Sequence, residues 1–337
     1  MLNHSYDVCQ YGIPVLALVV SGTVFWPYFA GTAIIGLGLA TGDNFKTARS
    51  LERVLAFGPL FFAIAMVVFG ADHLTAAKFV AMGVPPWMPG RLFWAYFVGV
   101  ALIAAALSLA AKRYWHLASA SLGVMIFLFV LMIHLPNWLE APYNSVRLTI
   151  LLRDLALSAG ALAFATSWHE LHATKDTQFL RLRAIAPRLL TWARFLMAIP
   201  ITIFGIDHFL NPAFAPGIPQ ENPAYVVTMP AWIPVHTVWA YATGVIFVVC
   251  GLAMMSKRHA RMAASVLGLT VLALMVLVYI PLTLSKASDI ANGLNYLAIH
   301  FALAGAAFLL ALALPAGVEE EGSLLAEDQQ PMLNRAS

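Results

Sequence analysis

The chain has 337 residues, of which 61% are hydrophobic and only 10% charged, with a mean hydropathy of +0.81 and a formal net charge of +3. About a quarter of the residues of a soluble domain are charged, so this composition excludes a water-soluble globule and points to a lipid bilayer as the solvent. The small positive charge gives no ground for nucleic acid as a partner, because membrane topology accounts for the basic residues.

Apolar runs of roughly 20 residues can cross the hydrocarbon core as helices. Nine occur in chain order: 13–40, 53–71, 92–111, 117–135, 148–168, 189–206, 238–256, 262–281 and 294–314. No alternation of apolar and polar residues suggests a β-barrel. The expected fold is all-α, a polytopic membrane protein. A signal peptide is the rival reading of the first run. Residues 1–12 lack Lys and Arg, however, and the apolar stretch is longer than a signal core, so a retained helix is expected, bent at Pro27 and Gly31.

Numbering the loops from these spans puts fourteen basic residues on one side, including Lys112, Arg113, Lys257 and Arg258. The other side holds four: Lys78, Arg91, Arg147 and Lys286. The basic side is expected to be cytoplasmic, with the N-terminus outside the cell membrane and the C-terminus inside. The tail from 315 to 337, with Glu319-Glu320-Glu321, has no apolar period and reads as disordered. Cys9 and Cys250 fall on different elements and make no disulfide or redox motif. His169-Glu170-Leu171-His172 lacks the i, i+4 spacing of a zinc protease, so no metal is expected there.

The chain repeats itself. Phe69-Gly70-Ala71-Asp72-His73 returns as Phe204-Gly205-Ile206-Asp207-His208, and Pro85-Pro86-Trp87-Met88-Pro89 as Pro230-Ala231-Trp232-Ile233-Pro234. Trp94-Ala95-Tyr96 with Gly99 returns as Trp239-Ala240-Tyr241 with Gly244, and Lys112-Arg113 as Lys257-Arg258. Between 85–123 and 230–268, 14 of 39 positions are identical at an offset of 145; the first motif pairs at 135, so the second copy carries about ten extra residues after His208. Each copy holds four spans. An even number of crossings orients both copies alike, so two parallel four-helix bundles in tandem are expected, preceded by one helix. The divisions are 1–52, 53–168, a cytoplasmic linker 169–188, 189–314, and 315–337.

The polar residues that fall at matching depth form the candidate site. Asp72 and His73 end the first helix of the first copy on the outer side, and Tyr96 lies one to two turns inward on the next. His134 closes the third helix before Pro136, and Asp154 sits inside the fourth. The second copy offers Asp207, His208, Tyr241, Tyr279 and His300, with Asn295 nearby. Ionisable groups within a membrane are costly and face a bundle interior or a wet cavity, so each copy is expected to hold a polar pocket in its outer half. Arg153 adjoins Asp154, but neighbours on a helix do not face each other, so no pairing is expected. The repeated Trp residues read as interfacial anchors, and Pro-x-Trp-x-Pro as a rigid re-entry turn.

Phe-Gly-x-Asp-His, Pro-x-Trp-x-Pro, Trp-x-Tyr-x-x-Gly and the basic turn together resemble the DoxX-like family of four-helix integral membrane proteins, here as two tandem units over about 240 residues. The resemblance implies an integral membrane fold and an association with quinone-linked oxidation or membrane redox complexes. Many relatives carry a Glu soon after the second-helix Gly; here apolar residues follow Gly99 and Gly244. Haem is not expected, because bis-His ligation needs facing partners, and the second His (His134, His300) does not correspond between copies. The expected function is a redox-associated subunit binding a lipophilic molecule such as a quinone, beside an outer-side redox partner. A lipid or small-molecule carrier and a non-enzymatic assembly partner are the alternatives.

Overall fold

In the computed structural model, residues 26–41, 50–167, 177–219, 233–285 and 290–315 are described, and they contain helices and no strand. The readings made for residues 1–25, Cys9, the His169–His172 quartet, Pro230-Ala231-Trp232 and the tail from 316 lie outside these residues. The long helices are α1 (Trp26–Thr41), α2 (Gly58–Thr75), α3 (Arg91–Ala110), α4 (Trp115–Phe129) and α5 (Ser145–Ala165). They continue as α6 (Thr177–Leu210), α7 (His236–Met255), α8 (Ala260–Leu274) and α9 (Ile290–Ala313). Among the described residues eight segments are long and apolar enough to cross a membrane, so the chain is an all-α multi-pass protein of the bilayer. The stretch 169–188 expected to be a connector is helical from Thr177, as the start of α6.

The repeated glycines are contact points. A Cβ on Gly70 would stand 2.8 Å from the carbonyl oxygen of Gly99, and one on Gly205 2.8 Å from that of Gly244. The first two helices of each half therefore cross at backbone contact, which only Gly permits. The repeated pair Trp94 and Trp239 is tied down as well. Trp94 donates its indole N–H to the Pro89 carbonyl at 3.0 Å, and Trp239 to Pro234 at 3.1 Å. These bonds hold the loop against the first turn of α3 and α7 while the indole rings stay at the rim.

The halves share their fourth helices rather than closing separately. Helix α2 packs on α3 and on α9, while α6 packs on α7 and on α5. The sequence around the molecule is α2–α3–α4–α5–α6–α7–α8–α9 and back to α2, with α5 and α9 meeting across the middle and α1 against α2 and α3. The two expected bundles are thus fused into one body. Small residues make this exchange favourable. A Cβ on Gly160 would lie 2.5 Å from the Ala306 carbonyl oxygen, and one on Gly305 2.5 Å from the Phe62 backbone nitrogen. Without a hydrophobic drive between helices in lipid, such close contact decides which helices pair.

The basic end carries a clamp across the halves. Arg261 grips both carboxylate oxygens of Glu52 at 2.8 Å and donates to the Leu314 carbonyl at 2.6 Å. It joins the helical turn Ser50–Leu55 before α2, the start of α8 and the end of α9, and it satisfies a terminal carbonyl that α9 leaves open. At the matched position His116 approaches the Ala165 carbonyl at the end of α5 with Nδ1 at 3.3 Å.

Candidate functional site

Both third helices end in a widened turn. Val130–His134 and Met275–Tyr279 are π-helical, with the Leu135 N–H reaching the Val130 carbonyl and the Ile280 N–H reaching that of Met275. A proline follows each turn, Pro136 and Pro281. Proline has no N–H for the carbonyl four residues back and its ring excludes that carbonyl, so the helix absorbs a five-residue hydrogen bond instead. The last residue of each widened turn is the polar one singled out by sequence, His134 in one half and Tyr279 in the other.

In the first half this turn delivers His134 to α5. His134 Nε2 lies 3.0 Å from Asp154 Oδ2, and Arg153 donates from Nε to Asp154 Oδ1 at 2.8 Å. Arg153 does reach Asp154, against the expectation for adjacent helical residues. Its arm is long enough to fold back along α5, and in an apolar setting that pairing offsets the burial of both charges. The chain is Arg153–Asp154–His134, with side-chain exposures of 16, 12 and 20% in that order. Asp154 accepts the Nε2–H, so the other ring nitrogen of neutral His134 is left as an acceptor.

Asp72 and His73 are half-buried at the end of α2. His73 Nδ1 lies 2.7 Å from the Phe69 carbonyl, which can only accept, so Nδ1 carries the hydrogen. Tyr96 and Tyr241 do not join the polar layer. They are 46 and 41% exposed, because Ala95 and Gly99, and Ala240 and Gly244, take the inner faces of α3 and α7. One residue's rotation of about 100° then turns each tyrosine outward. Tyr241 stacks on Phe209 on that outer surface. Asn295 is exposed too, and Tyr296 beside it is the buried residue.

The second half is built differently. His208 Nδ1 meets the Phe204 carbonyl at 2.6 Å, and its Nε2 accepts the Gly217 backbone N–H at 2.8 Å. His300 Nδ1 meets the Tyr296 carbonyl at 2.7 Å. The His300 ring lies 4.0 Å from that of Tyr279, which stacks in turn on Tyr296 at 6.2 Å. His300 is fully buried, and its Nε2 has no hydrogen-bond partner among the described residues. Asp207 accepts from the Asn211 amide at 2.9 Å.

The residues that sequence reasoning did not place in the site are those of the segment 211–219, part of the extra length of the second copy. Ala215, Pro216, Gly217 and Ile218 are all buried. Gly217 has φ +135° and lies so close that a Cβ on it would be 2.8 Å from His300 Nε2. A cleft of about 20 Å³ remains beside Asp207, His208, Asn211, Phe214 and Gly217, enough for one water molecule. The signal was present in the insertion itself, whose Pro-Gly-Ile-Pro run suits a chain that must turn sharply in a dry interior.

Fold and site together define a multi-pass helical membrane protein with buried acid–histidine and histidine–tyrosine clusters at one end of the helix ring. No family model, no curated protein and no solved structure matches the chain. The geometry therefore carries the functional argument.

Proposed function

We propose that the chain is a tandem duplication of a DoxX-like unit and serves as a redox-associated membrane subunit, binding a quinone-class molecule beside His134 in the outer half of the first unit. The observation that carries this is the Arg153–Asp154–His134 chain, whose histidine is its most exposed member. A hydroquinone hydroxyl needs an acceptor at the edge of an apolar slot, and the second ring nitrogen of His134 is one. When a hydroquinone passes its electrons to the outer-side redox partner, His134 takes the hydroxyl proton and Asp154 balances the new charge; when the partner instead supplies electrons, the reduced quinone oxygen takes the proton back. Arg153 holds the other carboxylate oxygen of Asp154 at 2.8 Å and fixes its orientation toward His134.

The fourteen-to-four distribution of basic residues supports a cytoplasmic basic end and an outward-facing site in the cell membrane, open to a redox partner on that side. A carrier has less support. The path it would need between the halves is filled by α5 and α9, packed glycine against alanine. The test is titration of the detergent-purified protein with decylubiquinone. Asp154→Asn and His134→Phe should each weaken binding at least about tenfold, the loss of one charge-assisted contact. Unchanged affinity in both variants overturns the proposal.

A further inference from the structure

The second half contains a histidine pair that serves no step above. Phe204 and Tyr296 carbonyls can only accept, so His208 and His300 both carry hydrogen on Nδ1 and turn an Nε2 lone pair inward. Both Nε2 atoms lie beside Gly217: its N–H donates to His208 Nε2 at 2.8 Å, and a Cβ added to it would stand 2.8 Å from His300 Nε2. One acceptor is thus satisfied by the chain's own backbone, and the other is buried without a donor among the described residues. A buried polar atom left in this state has given up its hydration with nothing in return, so the enclosure suits an occupant with a second donor better than it suits the strap.

We infer that the second half holds its own binding site, for a lipophilic molecule bearing two hydroxyl donors, and that the strap 211–219 is a built-in plug standing in for that molecule. The walls fit such an occupant: Tyr279, Tyr296 and Phe247 border the histidines with aromatic surface. The plug contributes four consecutive buried residues, Ala215 to Ile218, and its withdrawal would vacate the space they fill beside the two histidines. The histidines of this site stand on α6 and α9, and none of the three side chains of the Arg153–Asp154–His134 chain is among them, so this site is tested separately from the proposed function.

The experiment is thiol labelling of full-length Ile218→Cys protein in which Cys9 and Cys250 are replaced by Ser and Ala. Ile218 is only 1% exposed, so the new thiol is shielded while the strap is seated. The probe is 4-hexylresorcinol, which has two hydroxyls, and the control is its dimethyl ether, which has none. Hexylresorcinol should accelerate maleimide labelling at least about fivefold, the ether should not, and His300→Phe or His300→Gln should abolish the acceleration. Asp154→Asn should leave it intact. Equal rates with the two compounds, or acceleration that persists in whichever His300 variant folds, overturns the inference.

Discussion

Replacing Asp154 by Asn keeps the shape of the side chain and removes its charge. The variant leaves the Arg153 guanidinium opposite a neutral amide and takes from His134 its anionic partner, now 3.0 Å away. Hydrogen bonds to charged groups contribute about 1.5–3 kcal/mol each, and two are weakened, at 2.8 and 3.0 Å. Breaking a fully buried pair costs about 3–5 kcal/mol; the 12–20% exposure of the three side chains brings the expectation to about 2–4 kcal/mol. The reasoning also makes a second, opposite claim. Arg153→Met, Asp154→Leu and His134→Phe together remove both members of each of these pairs, so the triple variant should regain most of the lost stability. Unfolding in mixed micelles followed by tryptophan fluorescence measures both. A single variant within 0.5 kcal/mol of the parent, on the scale of ordinary surface changes, refutes the argument, as does a triple variant less stable than the single.

Gly160→Ala should destabilise by about 1–2 kcal/mol, because its methyl would press on Ala306 backbone at 2.5 Å and part α5 from α9. Gly36→Ala on α1 has nothing within 4 Å of the new methyl, so it should be neutral or stabilising by up to about 1 kcal/mol; the same unfolding assay reads both. Val235 sits at φ +54° where Gly90, at the matched position of the first half, has φ +65°. Left-handed backbone is strained for a β-branched residue, so Val235→Gly should raise the melting temperature, with a gain of about 1–2 kcal/mol, and a lower melting temperature would refute this. Pro136→Ala restores a backbone N–H and lets the widened turn relax, which rotates His134 away from Asp154. Decylubiquinone affinity should then fall about tenfold while stability holds or rises; unchanged affinity would detach the turn from the site.

Much of this architecture was legible along the chain, and the reason differs by element. Span positions follow from apolar runs of fixed length, and the expected 92–111, 148–168 and 238–256 fall within three residues of Arg91–Ala110, Ser145–Ala165 and His236–Met255. Gly70 and Gly99 with their counterparts Gly205 and Gly244 are crossing points, and Trp94 and Trp239 are loop ties, consistent with their recurrence. Within the site, the sequence puts His134 with Asp154 and Tyr279 with His300 in one layer, and the side chains of each pair do meet. Tyr96 and Tyr241 were named at the same depth and face outward, because depth along a helix says nothing of rotation around it.

The amino-acid sequence by itself determined what is local or periodic: the solvent, the placement and length of eight of the nine expected crossings, and the proline that widens each third helix. Tertiary structure alone decided which helices pair. In α5 and α9 nearly every face is alanine, glycine or leucine, so apolar pattern carries no address, and the exchange of fourth helices rests on glycine contacts visible only in three dimensions. The same holds for charge and space. That Arg153 folds back onto Asp154, and that an insertion seats Gly217 between two histidines, depends on side-chain reach and on a cavity formed by distant segments, neither of which is written at any single position.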